Sequence, residues 1–475
     1  MSWDVVIGLE VHCQLATESK LFSDCPLDIG GEPNTRTDPF TWGLPGTLPV
    51  PNRAAVNAAI ALALATGSTI HARSRFARKH YFYPDLPKGY QTTQSDEPYA
   101  TGGSIDVPGG PRVRLVRIHM EEDAGKNVHA GAVSGIDYNR AGAPLLEIVS
   151  EPDLRSADQA ASYMRELRTI IRALGISAAN MEEGTLRCDA NVSLRRPGDP
   201  ELGVRCEIKN VNSFRFLAKA IEAEVRRQAD LLERGEQVER CTLGYDGERD
   251  RLRIMRSKED AADYRYLPDP DLPPLHIDDA WIADVRAGMP ELPAARRARW
   301  QALGVGADDA TALASERELA DYYDAVLAAV GLARAKKAAS WVMVELLGRL
   351  NADGRTLADC PVPPTALAEL VGLAEDGTIS GRTAKDVFAK AWAGEGTPHA
   401  IVLREGLGQV RDDSIIETAL AEVIAANPKQ LEQLRGGKDA LRGFFIGQVM
   451  KKMRGQADPQ VVAALLDRAL EKKEG

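Results

Sequence analysis

No two cysteines in this chain have the Cys-x-x-Cys spacing. Cys13, Cys25, Cys188, Cys206, Cys241 and Cys360 are scattered through 475 residues. That argues against a zinc knuckle, so no zinc is expected. Dispersed thiols in a large chain suggest a reducing cytoplasm. No Gly-x-x-x-x-Gly-Lys-Ser/Thr loop occurs, and no Gly-x-Gly-x-x-Gly follows a predicted strand. Neither common glycine loop is available, so a nucleotide would have to be held by residues of a sheet. No apolar run is long enough to span a bilayer. Met1-Ser2-Trp3-Asp4 lacks the basic region of a signal peptide, so neither membrane nor export is expected. Positive charge is scarce overall: the formal net charge is -10. A nucleic-acid partner would therefore need a local basic patch.

What the chain does have is a soluble globular composition, 44% hydrophobic and 27% charged. Its length exceeds one ordinary core, so two or three domains are expected. The N-terminal half carries rows of polar residues at strand spacing. Val113 to His119 alternates apolar and polar and runs into Met120-Glu121-Glu122-Asp123-Ala124-Gly125-Lys126. Successive strand side chains point to opposite faces, which puts Glu121 and Asp123 on one face and Glu122 on the other. Glu10 and His12, two apart in Val5–His12, share a face and can ligate a cation or act as an acid/base pair. Glu147 interrupts the apolar run Leu145–Val149, where a carboxylate needs a metal or a base as partner. Met181–Ser193 reads as a strand with Arg187, Asp189, Asn191 and Ser193 on one face, and Val204–Asn210 as another with Arg205, Glu207 and Lys209.

Alone, each row also reads as a solvated polar face. Together they fit an antiparallel sheet with one packed and one polar face, the polar one suited to Mg²⁺ and a polyphosphate. Residues 76–91 interleave Arg78, Lys79 and Lys88 with Tyr81, Phe82 and Tyr83. Aromatics there can stack a base and cations can hold phosphates. Pro84 and Pro87 make the stretch a loop rather than a central strand. Helices are predicted over residues 54–66, 156–174 and 213–234.

After Pro290-Glu291-Leu292-Pro293 the chain becomes alanine-rich and helical, with segments near 294–303, 316–329, 335–350, 364–374 and 384–393. A second helical group starts near Gly406. It contains Arg435, Lys438, Arg442, Lys451, Lys452 and Arg454 against Asp439 alone, a basic patch suited to a phosphate backbone. The expected fold class is α+β: an N-terminal cradle of antiparallel sheet with helices over 1–292, an all-α linker domain over 293–405, and a small all-α tail domain over 406–475.

Seven ordered stretches resemble one family: VIGLEVHCQL (6–15), RKHYFYPDLPKGYQ (78–91), HMEEDAGK (119–126), DYNRAGAPLLEIVSEPD (137–153), MEEGTLRCDANVS (181–193), EIKNVNSFRF (207–216) and DYRYLPDPDLPP (263–274). They look like the GatB family of the aspartyl/glutamyl-tRNA(Asn/Gln) amidotransferases, and the resemblance runs to the C-terminus. It implies one component of a cytoplasmic heterotrimeric ligase. Such a component uses ATP and Mg²⁺ to phosphorylate the side-chain carboxylate of Glu or Asp mischarged on tRNA(Gln) or tRNA(Asn). Ammonia then displaces phosphate. The implied partners are an amidase (glutaminase) component, a further small component of the same complex and the mischarged tRNA, and no membrane. No amidase serine-glycine signature and no glutaminase cysteine motif is present, so ammonia derived from glutamine must come from a partner.

On that resemblance the expected metal ligands are Glu10, His12, Glu122 and Glu147, with Glu121 and Asp189 next. Lys79, Lys88, Arg187, Asn191, Ser193 and Lys209 are expected to hold phosphates or the aminoacyl end, with Tyr81 and Tyr83 beside them. The expected catalytic group is Glu122, Glu147, Asp189, Lys79 and Arg187. The basic stretch of the tail would contact the outer part of the tRNA. A stand-alone ammonia-dependent amide ligase and a non-catalytic tRNA-binding adaptor are the alternatives.

Overall fold

The computed structural model describes residues 3–471 except 29, 132, 248, 250, 258–263, 410–412 and 454–455. Two compact units result, Met1–Ala295 and Arg296–Gly475.

The N-terminal unit is built on a ten-stranded sheet. Asp4–Gln14 pairs with Pro144–Ser150 on one side and Leu186–Arg195 on the other, both antiparallel. Pro144–Ser150 continues to Arg112–Glu122, and Leu186–Arg195 to Cys206–Val211. The period of two is visible in the burial. Leu9, Val11 and Cys13, with Leu146, Ile148, Ile118, Met120, Cys188 and Ala190 from the neighbouring strands, are buried in the hydrophobic core. Residues between them go to the other face.

Cys206–Val211 and Cys241–Asp246 depart from the antiparallel expectation. They run parallel, because helix Phe214–Glu233 carries the chain back before the next strand begins.

The predicted helices form almost where the sequence puts them: Arg53–Thr66, Ala157–Leu174 and Phe214–Glu233. Asn52, Ser156 and Ser213 cap their N-termini by accepting backbone N–H bonds. Gly67 and Gly175 close the first two in the left-handed conformation that glycine adopts without strain. Leu167, Ile171, Leu217 and Ile221 from these helices join the sheet's apolar face in one core. Burying that face leaves the polar face outside the core.

Two segments differ from the sequence reading. The strand predicted from Met181 begins at Leu186, because residues 181–184 form a turn with Gly184 at φ 75°. Residues 78–91 are a hairpin rather than a continuous loop: Ala77–His80 pairs with Tyr90–Thr93, and both prolines fall in the connection.

The second unit is helical. Its first hydrophobic cluster gathers Trp300, Tyr323, Leu346, Leu367, Val387 and Ile401. A separate cluster gathers Ile416, Leu420, Phe445, Val449, Leu465 and Leu466. The helix predicted over 335–350 changes pitch in its middle, with a π-helical stretch at Trp341–Leu346 between the α-helices Ala335–Ser340 and Leu347–Asp353.

Candidate active site

Strand register assembles the polar face. His12 lies opposite Glu147 on one neighbouring strand and Arg187 on the other. Glu147 lies opposite His119, and Glu10 opposite Asp189. Residues directly opposite one another share a face, so these side chains converge although they are far apart in the chain.

The centre of the group is His12. Its Nε2 lies 3.8 Å from Glu10 Oε1, 3.7 Å from Glu121 Oε1 and 3.5 Å from Glu147 Oε2. His119 Nε2 lies 3.4 Å from the same Glu147 oxygen and 3.7 Å from Glu121 Oε2. Two sets of potential ligand atoms come within 4.8 Å of one another: Glu10, His12 and Glu147, and His119, Glu121 and Glu147. Glu147 belongs to both. His119, Glu121 and Glu147 are buried.

Burial and mutual charge act against each other here. Burial pushes the Glu10 carboxyl up to about 7, and the nearby Glu147 adds to that. For His12, burial alone would disfavour the charged ring. Its hydrogen bond to Glu147 and the charges of Glu121, Glu147 and Glu10 outweigh burial and raise it to about 9. His119 is likewise raised to about 9. Glu147 is held well below the ordinary carboxylate range despite burial, because His119 and His12 both face it. Three carboxylates and two imidazoles, buried on the His119 side and half-buried at Glu10 and His12, suit a divalent cation of the Mg²⁺ or Mn²⁺ kind, with carboxylate oxygens as the main donors.

Cations flank the cluster. Lys79 is held above its ordinary value: burial opposes the charge, but Glu121 and Glu147 outweigh it. Its Nζ sits 4.9 Å from the centre of the Tyr264 ring. Lys209 Nζ lies 3.3 Å from Asp189 Oδ2 and 3.2 Å from Glu207 Oε1. Arg187 donates to Asp123 Oδ2 at 2.9 Å, and its buried Nε has no hydrogen-bond partner. Tyr81 and Tyr83 stack with centroids 4.7 Å apart and planes 18° apart.

Not every expected residue joins the group. Glu122 follows Glu121 by one position and points away. Its Oε1 accepts from Lys88 Nζ at 2.5 Å and from the Thr92 backbone N–H at 2.8 Å. Both side chains are almost fully buried, and the Lys88 ammonium lies 4.4 Å from the Phe40 ring centre. The register thus brings neither Glu122 nor Lys88 to the cluster, and each is engaged by the other. Asp189 is adjacent but belongs to neither ligand set. Asn191 lies opposite Gly8 and Ser193 opposite Val6. Ser193 is buried and, four residues along the strand from Asp189, lies about 13 Å from it.

The sequence reading missed His119 as a cluster member. The signal was available: His119 and Glu121 are two apart on a strand, as Glu10 and His12 are. It also missed Tyr266, which feels the charges of Lys79, Glu147 and Glu121.

In the tail, Arg435, Lys438, Arg442, Lys451 and Lys452 are exposed. Arg442 is drawn to Asp467 and Lys452 to Glu422. Arg454 lies outside the described residues. Among the described residues, no helix is long and apolar enough to cross a membrane.

Comparison with known proteins gives the family. Residues 5–283 match the GatB/GatE catalytic domain, and residues 321–470 match the GatB domain. GatB-type components of aspartyl/glutamyl-tRNA(Asn/Gln) amidotransferases are similar over their whole length. The one from Alkalilimnicola ehrlichii is 51% identical, covering 99% of this chain and 100% of its own. The one from Anaeromyxobacter dehalogenans is 52% identical, covering 98% and 99%. The one from Halorhodospira halophila is 50% identical, covering 99% and 100%. The chain belongs to the GatB family of the aspartyl/glutamyl-tRNA(Asn/Gln) amidotransferases.

Proposed function

We propose that this chain activates the side-chain carboxylate of Glu on tRNA(Gln), of Asp on tRNA(Asn), or of both, by ATP-dependent phosphorylation. Ammonia from a partner amidase then converts the activated carboxyl to the amide. A carboxylate oxygen takes the γ-phosphoryl group as ADP leaves, ammonia attacks the carbonyl carbon, and phosphate departs. The observation that carries this reading is His12 seated among Glu10, Glu121 and Glu147 on the polar sheet face of a GatB family member.

Each group has a part in that chemistry. Glu10, His12, Glu121, Glu147 and His119 are the side chains that would hold a divalent cation, Mg²⁺ in this reading. Such an ion offsets charge on phosphate oxygens when bound. Lys79, Lys209 and Arg187 supply fixed positive charge for the phosphoryl oxygens and the carboxylate. Asp189 positions Lys209, and Asp123 positions Arg187. The stacked Tyr81–Tyr83 pair offers a ring face to a base.

A non-catalytic adaptor would have no use for this site. Burying Glu121 and Glu147 beside the half-buried Glu10 is costly and does not help to bind a polyanion. Residues 1–292 would carry the chemistry, 293–405 would act as linker, and the tail from 406 would hold tRNA through Arg435, Lys438 and Lys451. The amidase and the further small component would complete a cytoplasmic enzyme.

The test uses the assembled complex with its amidase nucleophile inactivated. With ATP, Mg²⁺ and NH₄Cl, mischarged tRNA should still be amidated. Binding of tRNA with neither ATP cleavage nor amide formation would favour the adaptor. Amide formation by the isolated chain at the rate of the complex would favour the self-sufficient ligase.

A further inference from the structure

Two thiols meet at the start of the parallel strand pair. Glu207 lies opposite Thr242 and Ile208 opposite Leu243, so one step back Cys206 faces Cys241. Their Sγ atoms are 3.5 Å apart, and both residues are buried. The Cys241 thiol donates to Cys206 Sγ, and the Cys206 thiol donates to the Glu239 carbonyl at 3.4 Å. Arg227, from the helix above, aims Nη2 at both sulfurs, 3.3 Å from Cys206 and 3.9 Å from Cys241. Glu224 holds that guanidinium through two bonds of 2.7 and 2.8 Å.

Core packing alone accounts for two buried cysteines, but not for a guanidinium directed at both sulfurs. Arg227 also argues against a metal, since it occupies the place of a cation with positive charge of its own. Glu224 already balances that charge, so the guanidinium adds a donor shared by both sulfurs and holds them side by side rather than lowering either thiol. The geometry suits a bond between them. Neighbouring strands lie about 4.8 Å apart, inside the roughly 4.4–6.8 Å Cα range of disulfides. The sulfurs need to approach by only about 1.5 Å to reach the ~2.05 Å bond length.

We propose that Cys206 and Cys241 form a reversible disulfide on exposure to a peroxide. The Cys206 thiolate attacks one peroxide oxygen, the O–O bond breaks, and hydroxide leaves to become water. The Cys241 sulfur then displaces the hydroxyl of the sulfenic acid on Cys206, giving the S–S bond and a second water. Two thiols lose two electrons in total, and the peroxide is reduced to two waters. Burial and the charge of Glu224 push the Cys206 thiol up, so the reaction is slow compared with that of an exposed, activated thiol. The bond would fasten the two strands beside Glu207, which meets both Lys209 and Thr242. The modification thus falls one residue from a group that positions a cation of the proposed site.

The experiment treats the full-length protein with increasing hydrogen peroxide. Remaining thiols are alkylated in denaturant, and the peptides are mapped by mass. The expected product is one linked peptide pair containing Cys206 and Cys241, two mass units lighter than the reduced pair and restored by dithiothreitol. In Cys241→Ser, dimedone should instead label Cys206. Recovery of both cysteines alkylated at every peroxide dose, while Cys360 or another thiol is oxidised, overturns the proposal. So does their recovery as separate over-oxidised acids. The wild-type mapping does not depend on the variant folding.

Discussion

His12 Nε2 lies 3.5 Å from Glu147 Oε2 although 135 positions separate the two residues. Antiparallel pairing of Asp4–Gln14 with Pro144–Ser150 sets them opposite each other. Glu147 is also shared with His119 on the next strand, so it is the side chain on which both halves of the cluster depend.

Glu147→Gln should therefore disable both ligand sets at once. Mn²⁺ affinity, read by electron paramagnetic resonance, should fall by at least about 10–100-fold, the range seen even when only the shell behind metal ligands is disturbed. Amidation with NH₄Cl should fall with it while tRNA affinity stays unchanged. Near-normal Mn²⁺ binding in a folded Glu147→Gln protein would remove this residue from the site.

Glu122→Gln should behave differently, because Glu122 pairs with Lys88 instead. Removing its charge leaves a buried ammonium uncompensated, at a cost of about 3–5 kcal/mol. Denaturant unfolding should show the loss, and Mn²⁺ affinity should hold in the fraction that remains folded. A stable variant with abolished Mn²⁺ binding would instead make Glu122 a ligand.

In the tail, Arg435, Lys438 and Lys451 should matter more for tRNA than Arg442 and Lys452, which already have the acidic partners Asp467 and Glu422. Replacing the first three with alanine should reduce the salt dependence of tRNA binding by up to about three phosphate contacts. The KM for aminoacyl-tRNA should rise with little change in turnover at saturation, as when uniform binding is lost. An equal effect from the Arg442 and Lys452 pair would show that the ion pairs do not restrain them.

Acid stability offers a test far from the cluster. Arg114 binds both oxygens of Asp153, at 2.7 and 2.9 Å, and its backbone N–H adds a third bond at 3.0 Å. The Arg114 side chain, foremost, holds the Asp153 carboxyl below its ordinary value. A depressed folded-state value stabilises the protein above the ordinary carboxylate range, and the contribution is lost as pH falls through the folded value. Asp153→Asn should thus flatten the acid limb of the melting temperature below about pH 4. Its effect on the slope between pH 6 and 8 should be nil. An acid limb identical to wild type would assign the pair no role in acid unfolding.

Much of this was legible in the sequence, for a local reason. The alternation of a strand has a period of two and needs no partner. It put Glu10 beside His12, separated Glu121 from Glu122, and lined up Arg187 with Asp189. Caps and breaks are equally local: Ser156, Ser213, Gly67 and Gly175 stand where the predicted helices begin or end, whereas the Asn52 cap showed only in the fold. Long ordered motifs identified the family.

Which rows meet was decided only by the tertiary structure. Register depends on pairing between distant segments, and one step of register exchanges every side chain between faces. That pairing brought Glu147 to both histidines, made His119 a member of the cluster, and carried Ser193 to the far end of its strand. It also turned Glu122 toward a lysine that the hairpin at residues 77–93 delivers from 34 positions away. A carboxylate's identity is written in the chain, but its role follows from which charge the fold buries beside it.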